Sequence, residues 1–447
     1  MSAEPSRAEP SRAEPSRAAI ERMIADLDAR IGRVVDSILH HPDFQRLEAA
    51  WRGLWHVVSR VSFDQNIEVH LWSCSKEELQ DDLADAAEVT TSRYFRAVYT
   101  SEFGQFGGKP YTAVFANFAI DASPSDMTLM RRMAAVSAMA HAPLLLGASP
   151  ALFLLERFSA LTSAANVPAI FEDSTHHVKW NALRESDDAR YVGILLPRIL
   201  LRLRYGEEHE GAESFVYEER THGAEDYLWG SPIYAFAVRL AKSFARHRTA
   251  LAMLGSEGDE PPVRDIHPTM GGEHEKPAVE VVLSRRMEGT LAELGFIPLM
   301  CDPHRAQLFF TTASSIQLPR TFARDERAAD GTDPTVNFFL GTHLPYLFFA
   351  ARFAHYIKVI ERERLGGNRT REEIESDLNE WISRYVAAMD NVSPATRRQR
   401  PLRYARIKTS DVAGSPGWYR MEVLIQPHLR HMEHEFQISV TGRIDTR

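Results

Sequence analysis

The sequence predicts a mixed α/β and α+β fold: a helical N-terminal pair, an α/β middle domain and a helix-plus-sheet C-terminal domain. Three observations carry this prediction. Residues 40–58, HHPDFQRLEAAWRGLWHVV, repeat apolar side chains at three- and four-residue spacings; between residues 66 and 285 short apolar runs alternate with helix-period segments; after residue 402 three strand-like runs follow one another. A 3.6-residue period marks helix, short apolar runs bounded by turn residues mark strands, and strand–helix alternation marks an α/β layer.

Residues 1–18 carry three tandem EPSRA units with no apolar anchor. Such a stretch cannot bury enough surface to offset its ordering entropy, so it is predicted to be a disordered tail. A helix follows, with Ile20, Met23, Leu27, Ile31, Val34 and Ile38 in its stripe. The next helix opens at Pro42, suited to a first turn, with Asp43 at the positive end of the dipole. Its stripe of Phe44, Leu47, Trp51, Leu54, Trp55 and Val58 demands a large apolar partner, either the chain's own core or another subunit. Together these helices form a pair over residues 19–61.

The middle domain is expected to span residues 62–334. NIEVHLWSC (residues 66–74) alternates like a strand, and Ser75 with Glu78 forms a capping box for the helix behind it. YTAVFANFAI (111–120) reads as a strand, residues 125–141 as a Met- and Ala-rich helix, and APLLLGAS as a strand. RYVGILLPRILL begins as a strand, residues 230–248 form a helix, and KPAVEVVLS is again a strand. Polar loops rich in Gly and Pro occupy residues 255–277 and 320–334, and the domain boundary is set in the second.

The C-terminal domain, residues 335–447, starts with the helix LPYLFFAARFAHYIKVIERERLGG, closed by Gly366 and Gly367. Thr370 and Glu373 cap a second helix with the stripe Ile374, Leu378, Trp381, Tyr385 and Met389. The strand-like runs are LRYARIKTS, WYRMEVLIQP and EFQISVTGRI, the last alternating Phe436, Ile438 and Val440.

Candidate chemistry is weak. A net charge of −9 opposes general polyanion binding, and no apolar run approaches the roughly 20 residues that cross a bilayer. Neither nucleic acid nor membrane is expected as a partner, and a cytoplasmic location is the default. Cys74 and Cys301 have no metal-like spacing. GQFGGKP (104–110) lacks the Ser or Thr and the helix that a phosphate loop needs after its Gly-Lys. His428, His431 and His434 in HLRHMEHE lie in extended chain, where alternate residues diverge. RRQRPLRYARIK reads as a solvated face or a contact to an acidic protein, and no GxSxG elbow occurs. No catalytic, cofactor or metal residue is expected.

HHPDFQRLEAAWRGLWHVV (residues 40–58) resembles the hallmark of the large subunit of the type VI secretion contractile sheath, the TssC/VipB family. The likeness continues through EFGQFGGKPYTAVFANF, MRRMAAVSAMAHAPLLLGASP, ARYVGILLPRILLRLRYG, DYLWGSPIYAFAVRLAKSFARHR, ELGFIPL, LPYLFFAARFAHYIKVI, NEWISRYV and RRQRPLRYARI. It implies a structural protein whose C-terminal core is shared with contractile phage tail sheaths. The implied partners are a small sheath subunit (TssB/VipA-like), further copies of the chain in a helical polymer, an inner tube of haemolysin-coregulated protein, and a baseplate. Phe44, Leu47, Trp51, Leu54 and Trp55 are then the expected small-subunit interface. Arg397, Arg398 and Arg400 face the tube, with the helix over 371–388, and Phe436, Ile438 and Val440 are candidates for strand exchange. The EPSRA repeats stand where family members carry a helix read by a ClpV-type ATPase and an extended arm, so the resemblance does not carry ClpV recognition to this chain. A divergent paralogue acting as an assembly or baseplate adaptor is the alternative expectation.

Overall fold

The computed structural model describes residues 16–445 except 165, 173–174, 207–216, 256–268, 272–273, 277, 303–306, 323–333, 364–369, 390–392, 394–395, 397–399, 412–417 and 429–437. Helices α1 (Arg17–Leu39) and α2 (Pro42–Val58) form the predicted pair, and α3 (Lys76–Asp85) begins at the Ser75–Glu78 capping box. Strand β1 (Val114–Ile120) leads into α4 (Pro124–Ala140), which Ser123 caps through the Asp126 amide. Strands β2 (Leu144–Ala148) and β3 (Val192–Leu196), helix α5 (Ile233–His247) and strands β4 (Phe296–Asp302) and β5 (Gln307–Phe310) complete the middle domain.

These strands form one sheet in the order β1-β2-β3-β4-β5, parallel up to β4, with β5 antiparallel on the edge. Every residue of β2 and β3 is buried. That explains their unbroken apolar runs, because a parallel strand covered on both faces has no polar side to show. Leu144, Leu146, Val192, Ile194, Phe296 and Met300 pack in one core with α4, while Leu145, Leu195, Ile297 and Leu299 pack in a second core with Phe236 and Leu240 of α5. Successive residues point to opposite faces, so each strand serves both layers.

Helix α6 (Leu344–Glu363) joins the two parts of the chain. Its first turns give Leu344, Leu347 and Phe348 to the second sheet core. The rest gives Phe349, Phe353 and Ile357 to a third core, with Ile374, Leu378 and Ile382 of α7 (Arg371–Ser383) and residues of the closing sheet. That sheet is the antiparallel meander β6 (Leu402–Asp411), β7 (Trp418–Pro427) and β8 (Ile438–Asp445). The α7 capping box is formed as the sequence implies. Gly366 and Gly367 lie outside the described residues.

The far end of α6 also explains the glycine-rich loop at 104–110. Buried Arg362 donates from Nη1 to the carbonyls of Glu102 (3.0 Å) and Phe103 (3.2 Å), and from Nη2 to that of Gly108 (2.7 Å). A Cβ on Gly108 would sit 2.5 Å from the Glu102 carbonyl oxygen, so only glycine lets the loop fold onto this arginine. Beside it, His355 Nε2 meets the Ala140 carbonyl (2.9 Å) and His141 Nδ1 meets the Tyr191 hydroxyl (2.9 Å). Burial lowers His141 to about 3 and His355 to about 4, so both are neutral at pH 7.

Two expected strands are corrected. Residues 66–74 join no ladder among the described residues, and Asn66 sits in the left-handed region at φ 60. KPAVEVVLS forms no long strand: Val279 bridges Ile199, with the Leu200 amide donating to the Ala278 carbonyl (2.9 Å) and the Glu280 amide to the Arg198 carbonyl (3.0 Å), and Lys276 ends a separate short ladder opposite Thr269. In the first, apolar alternation is present without a partner ladder among the described residues, and in the second the partner is only the two-residue strand Ile199–Leu200; alternation alone does not supply a longer one. Strand β4, central to the sheet, was not singled out as an element by periodicity.

Replacing Arg362 with Met keeps the stem but strips three backbone carbonyls of a charged donor. Each loss is worth about 1–3 kcal/mol, so the unfolding transition should move down clearly in denaturant titration; an unchanged midpoint would mean that Arg362 does not clamp the loop.

Candidate functional site

No group of His, Cys, Asp or Glu able to hold a metal ion occurs among the described residues, and no described helix is long and apolar enough to cross a membrane. The chemistry the molecule does offer is an apolar surface on the N-terminal helices, built on polar anchors.

Helix α2 docks by a narrow face. Gly53, His56 and Val57 are buried, and Val57 packs with Val61 and with Val238 of α5, supported by Ile67, Tyr234, Ala237 and Ala241. The fit at Gly53 is close: a Cβ there would meet the Tyr234 ring at 2.1 Å. At 100° per residue the stripe of Phe44, Leu47, Trp51, Leu54, Trp55 and Val58 centres roughly 150° around the helix from Gly53. Accordingly, Leu47 is 57% exposed, Trp51 62% and Trp55 69%; Phe44 and Val58 are also exposed, and Leu54 is half-buried. The five expected interface residues therefore share one face, and that face is turned away from the chain's own core.

Helix α1 buries no residue at all. Its stripe of Ile20, Met23, Ile24, Leu27, Ile31, Val34 and Ile38 is exposed throughout. Polar contacts hold the helix instead, with Asp36 accepting from the Tyr217 hydroxyl (2.6 Å) and the Arg220 amide (3.4 Å).

At the turn between the helices a charged network fixes both to the body. Glu219, 1% exposed, receives Arg202 Nη1 (2.6 Å) and Nη2 (3.1 Å), the Tyr205 amide (2.9 Å) and His40 Nε2 (3.0 Å). Burial opposes its charge, but the Arg202 guanidinium outweighs burial and holds the carboxyl below the usual carboxylate range. Arg202 Nε also reaches Glu48 of α2 (2.9 Å), which takes a second bond from Arg52 (2.7 Å). A buried ion pair is costly to half-remove, so this network fixes the attitude of the helix pair. Its only sequence signal was the alternation of arginines with apolar residues in RILLRLRYG; nothing in spacing linked them to Glu219 or His40.

The other expected sites are dispersed. Arg400 is exposed, while Arg397 and Arg398 lie outside the described residues. Phe436, His431 and His434 also lie outside them. Ile438 and Val440 belong to edge strand β8, in register with Ile425 and Val423 of β7. His428 is half-buried, its amide donating to the Pro401 carbonyl (3.1 Å).

Residues 21–317 match the family model VipB, described as the EvpB-type tail sheath N-terminal domain, and residues 333–444 match VipB_2, the tail sheath gpW/gp25-like domain. The type VI secretion system sheath protein TssC1 of Pseudomonas aeruginosa (strain PAO1) is 36% identical over 419 residues, covering 92% of this chain and 82% of that protein. The chain belongs to the VipB family of type VI sheath large subunits. Membership makes it a contractile sheath subunit, in a family of structural proteins and not of enzymes. Two solved structures have low similarity. A sheath tail protein from Desulfitobacterium hafniense has a TM-score of 0.33 at 10% identity, covering 74% of this chain and 56% of that one. The anti-feeding prophage baseplate has a TM-score of 0.34 at 10% identity, covering 74% and 65%. Scores of that size carry no argument about this VipB-family chain.

Adding a methyl at Gly53 tests how α2 is seated. Gly53→Ala should destabilise docking by about 1–3 kcal/mol through overpacking, read as faster proteolysis of the N-terminal helices, and Tyr234→Ala should relieve the defect in the double variant. Equal protection of Gly53→Ala and the parent would contradict the close seating.

Proposed function

We propose that this chain pairs with a small sheath subunit of the TssB/VipA type through the apolar face of α1 and α2. The heterodimers then polymerise helically around a tube of haemolysin-coregulated protein, and contraction from a baseplate drives that tube out of the cell. The observation that carries the reading is the outward stripe on α2: Trp51 and Trp55 are anchored on a helix docked by its opposite face, and among the described residues they stay 62% and 69% exposed. Exposed contiguous aromatic and aliphatic surface of this kind marks an interaction site, and aromatic anchors carry much of the energy in protein interfaces.

In this reading Arg397, Arg398 and Arg400 face the tube, and Phe436, Ile438 and Val440 serve strand exchange between neighbours. The position of β8 at the edge of its sheet supports the second assignment, since an edge strand has one unpaired side. Assembly is assigned to the cytoplasm.

Coexpression of the chain with its small subunit, followed by electron microscopy, should give long tubules; discrete complexes alone would favour an adaptor that does not polymerise. Trp51→Ala with Trp55→Ala should weaken copurification by about tenfold or more while leaving the melting temperature unchanged. Parental pairing by that folded variant would overturn the interface. Charge reversal at Arg397, Arg398 and Arg400 should abolish tubule formation around the tube protein, and intact tubules would remove those arginines from tube contact.

A further inference from the structure

Strand β6 lies at one edge of the closing sheet, with β7 on its inner side. An antiparallel strand turns its amides and carbonyls alternately to its two sides, so at an edge every second residue is left with both groups unpaired. On β6 much of that outer side is already taken, by α7 and the chain that follows it. The amide of Ile407, a fully buried residue, donates to Asn379 Oδ1 (2.9 Å), and its carbonyl accepts from Asn379 Nδ2 (2.8 Å). Two residues along, the Thr409 amide and hydroxyl both donate to Glu375 Oε2 (2.8 Å each), and the Thr409 carbonyl accepts from Arg371 Nη1 (3.4 Å). At the start of the strand the Leu402 amide donates to the Tyr385 carbonyl (3.1 Å), and the Leu402 carbonyl accepts from the Ala387 amide (2.8 Å).

In a hydrogen-bonded pair of an antiparallel ladder, each residue gives one N–H and receives one. Asn379 makes that same exchange with its side-chain amide. The spacing lets the pattern repeat, because Arg371, Glu375 and Asn379 follow one another at intervals of four residues. Four residues advance about 6 Å along a helix and two advance about 6.6 Å along a strand, so successive turns of α7 meet successive outward residues of β6. Packing of α7 does not require these bonds. Ile374, Leu378 and Ile382 already bury the helix in the third core, and the three polar residues lie half-buried beside that stripe. The Thr409 amide and hydroxyl hold the Glu375 carboxyl below the usual carboxylate range, which keeps it an acceptor at neutral pH.

We propose that α7 stands in for a neighbouring strand: Asn379, with Glu375 and Arg371, closes the β6 edge against β-strand addition by another polypeptide. The strand excluded is one with the pattern of β7, which β6 already matches side chain for side chain, with Glu422 opposite Lys408 and Val423 opposite Ile407. The closure acts at the edge opposite β8 and does not depend on the pairing or the strand exchange proposed above.

The test uses the full chain alone, with a labelled peptide of residues 418–427, WYRMEVLIQP, as the probe strand. In fluorescence anisotropy the double variant Glu375→Leu with Asn379→Leu should bind the peptide about tenfold or more tighter than the parent, the worth of two or more backbone hydrogen bonds. Equal binding by parent and variant, or no binding by the folded variant, would overturn the closure. Amide exchange on the parent supplies a check that needs no variant: Ile407 and Thr409 should be as protected as the β6 amides that face β7. Rapid exchange at Ile407 and Thr409 in the parent would refute the proposal. In the single variant Asn379→Leu, Ile407 should exchange about tenfold or more faster while the amides facing β7 keep their protection, and an unchanged Ile407 would remove Asn379 from the role.

Discussion

Burial of apolar surface organises the described chain except its first helices, whose apolar stripes stay exposed. The docked edge of α2 is only as wide as Gly53, His56 and Val57, so the broad stripe on its other side is left to water. At roughly 1.5–3 kcal/mol for each large side chain removed from water, five exposed residues that are already part-covered hold on the order of 5–10 kcal/mol in reserve. That is comparable to the free energy of a specific complex once the cost of association is met. The charged network of Glu219, Arg202, Glu48 and His40 makes the reserve usable, because it fixes the helices without using their apolar face.

Behind this surface, α6 couples the two halves of the body. Consecutive residues Phe348 and Phe349 belong to different cores, one under the parallel sheet and one under the C-terminal meander. Close-packed cores transmit displacement in place of absorbing it. A helix seated in both, and pinned at its far end through Arg362 to the loop before β1, ties the C-terminal sheet to the edge of the middle domain. For a contractile sheath subunit such a rigid beam is physically apt.

Much of this was legible in the sequence. The helix pair, α4 with its flanking strands, the α7 capping box and the closing meander follow from periodicity and local capping chemistry, which act over a few residues. Residues 66–74 and KPAVEVVLS failed as strands because pairing depends on a distant neighbour that periodicity does not report. Helical spacing put Phe44, Leu47, Trp51, Leu54 and Trp55 on one face, but whether the chain's own core covers that face depends on Tyr234 and Val238, some 180 residues away. The same distance hid the partnership of Glu219 with His40, and it hid the use of the glycine loop, which is set by Arg362.

The central claim is that the α1–α2 face exists to be covered by another subunit. Its most direct measurement is the heat capacity change when the small sheath subunit is titrated calorimetrically into the full chain over a range of temperatures. Burial of the stripe predicts a clearly negative change, on the order of −0.3 kcal/mol/K or larger in magnitude, much reduced when Trp51 and Trp55 are alanine. A change near zero, or one indifferent to those two residues, would contradict the account.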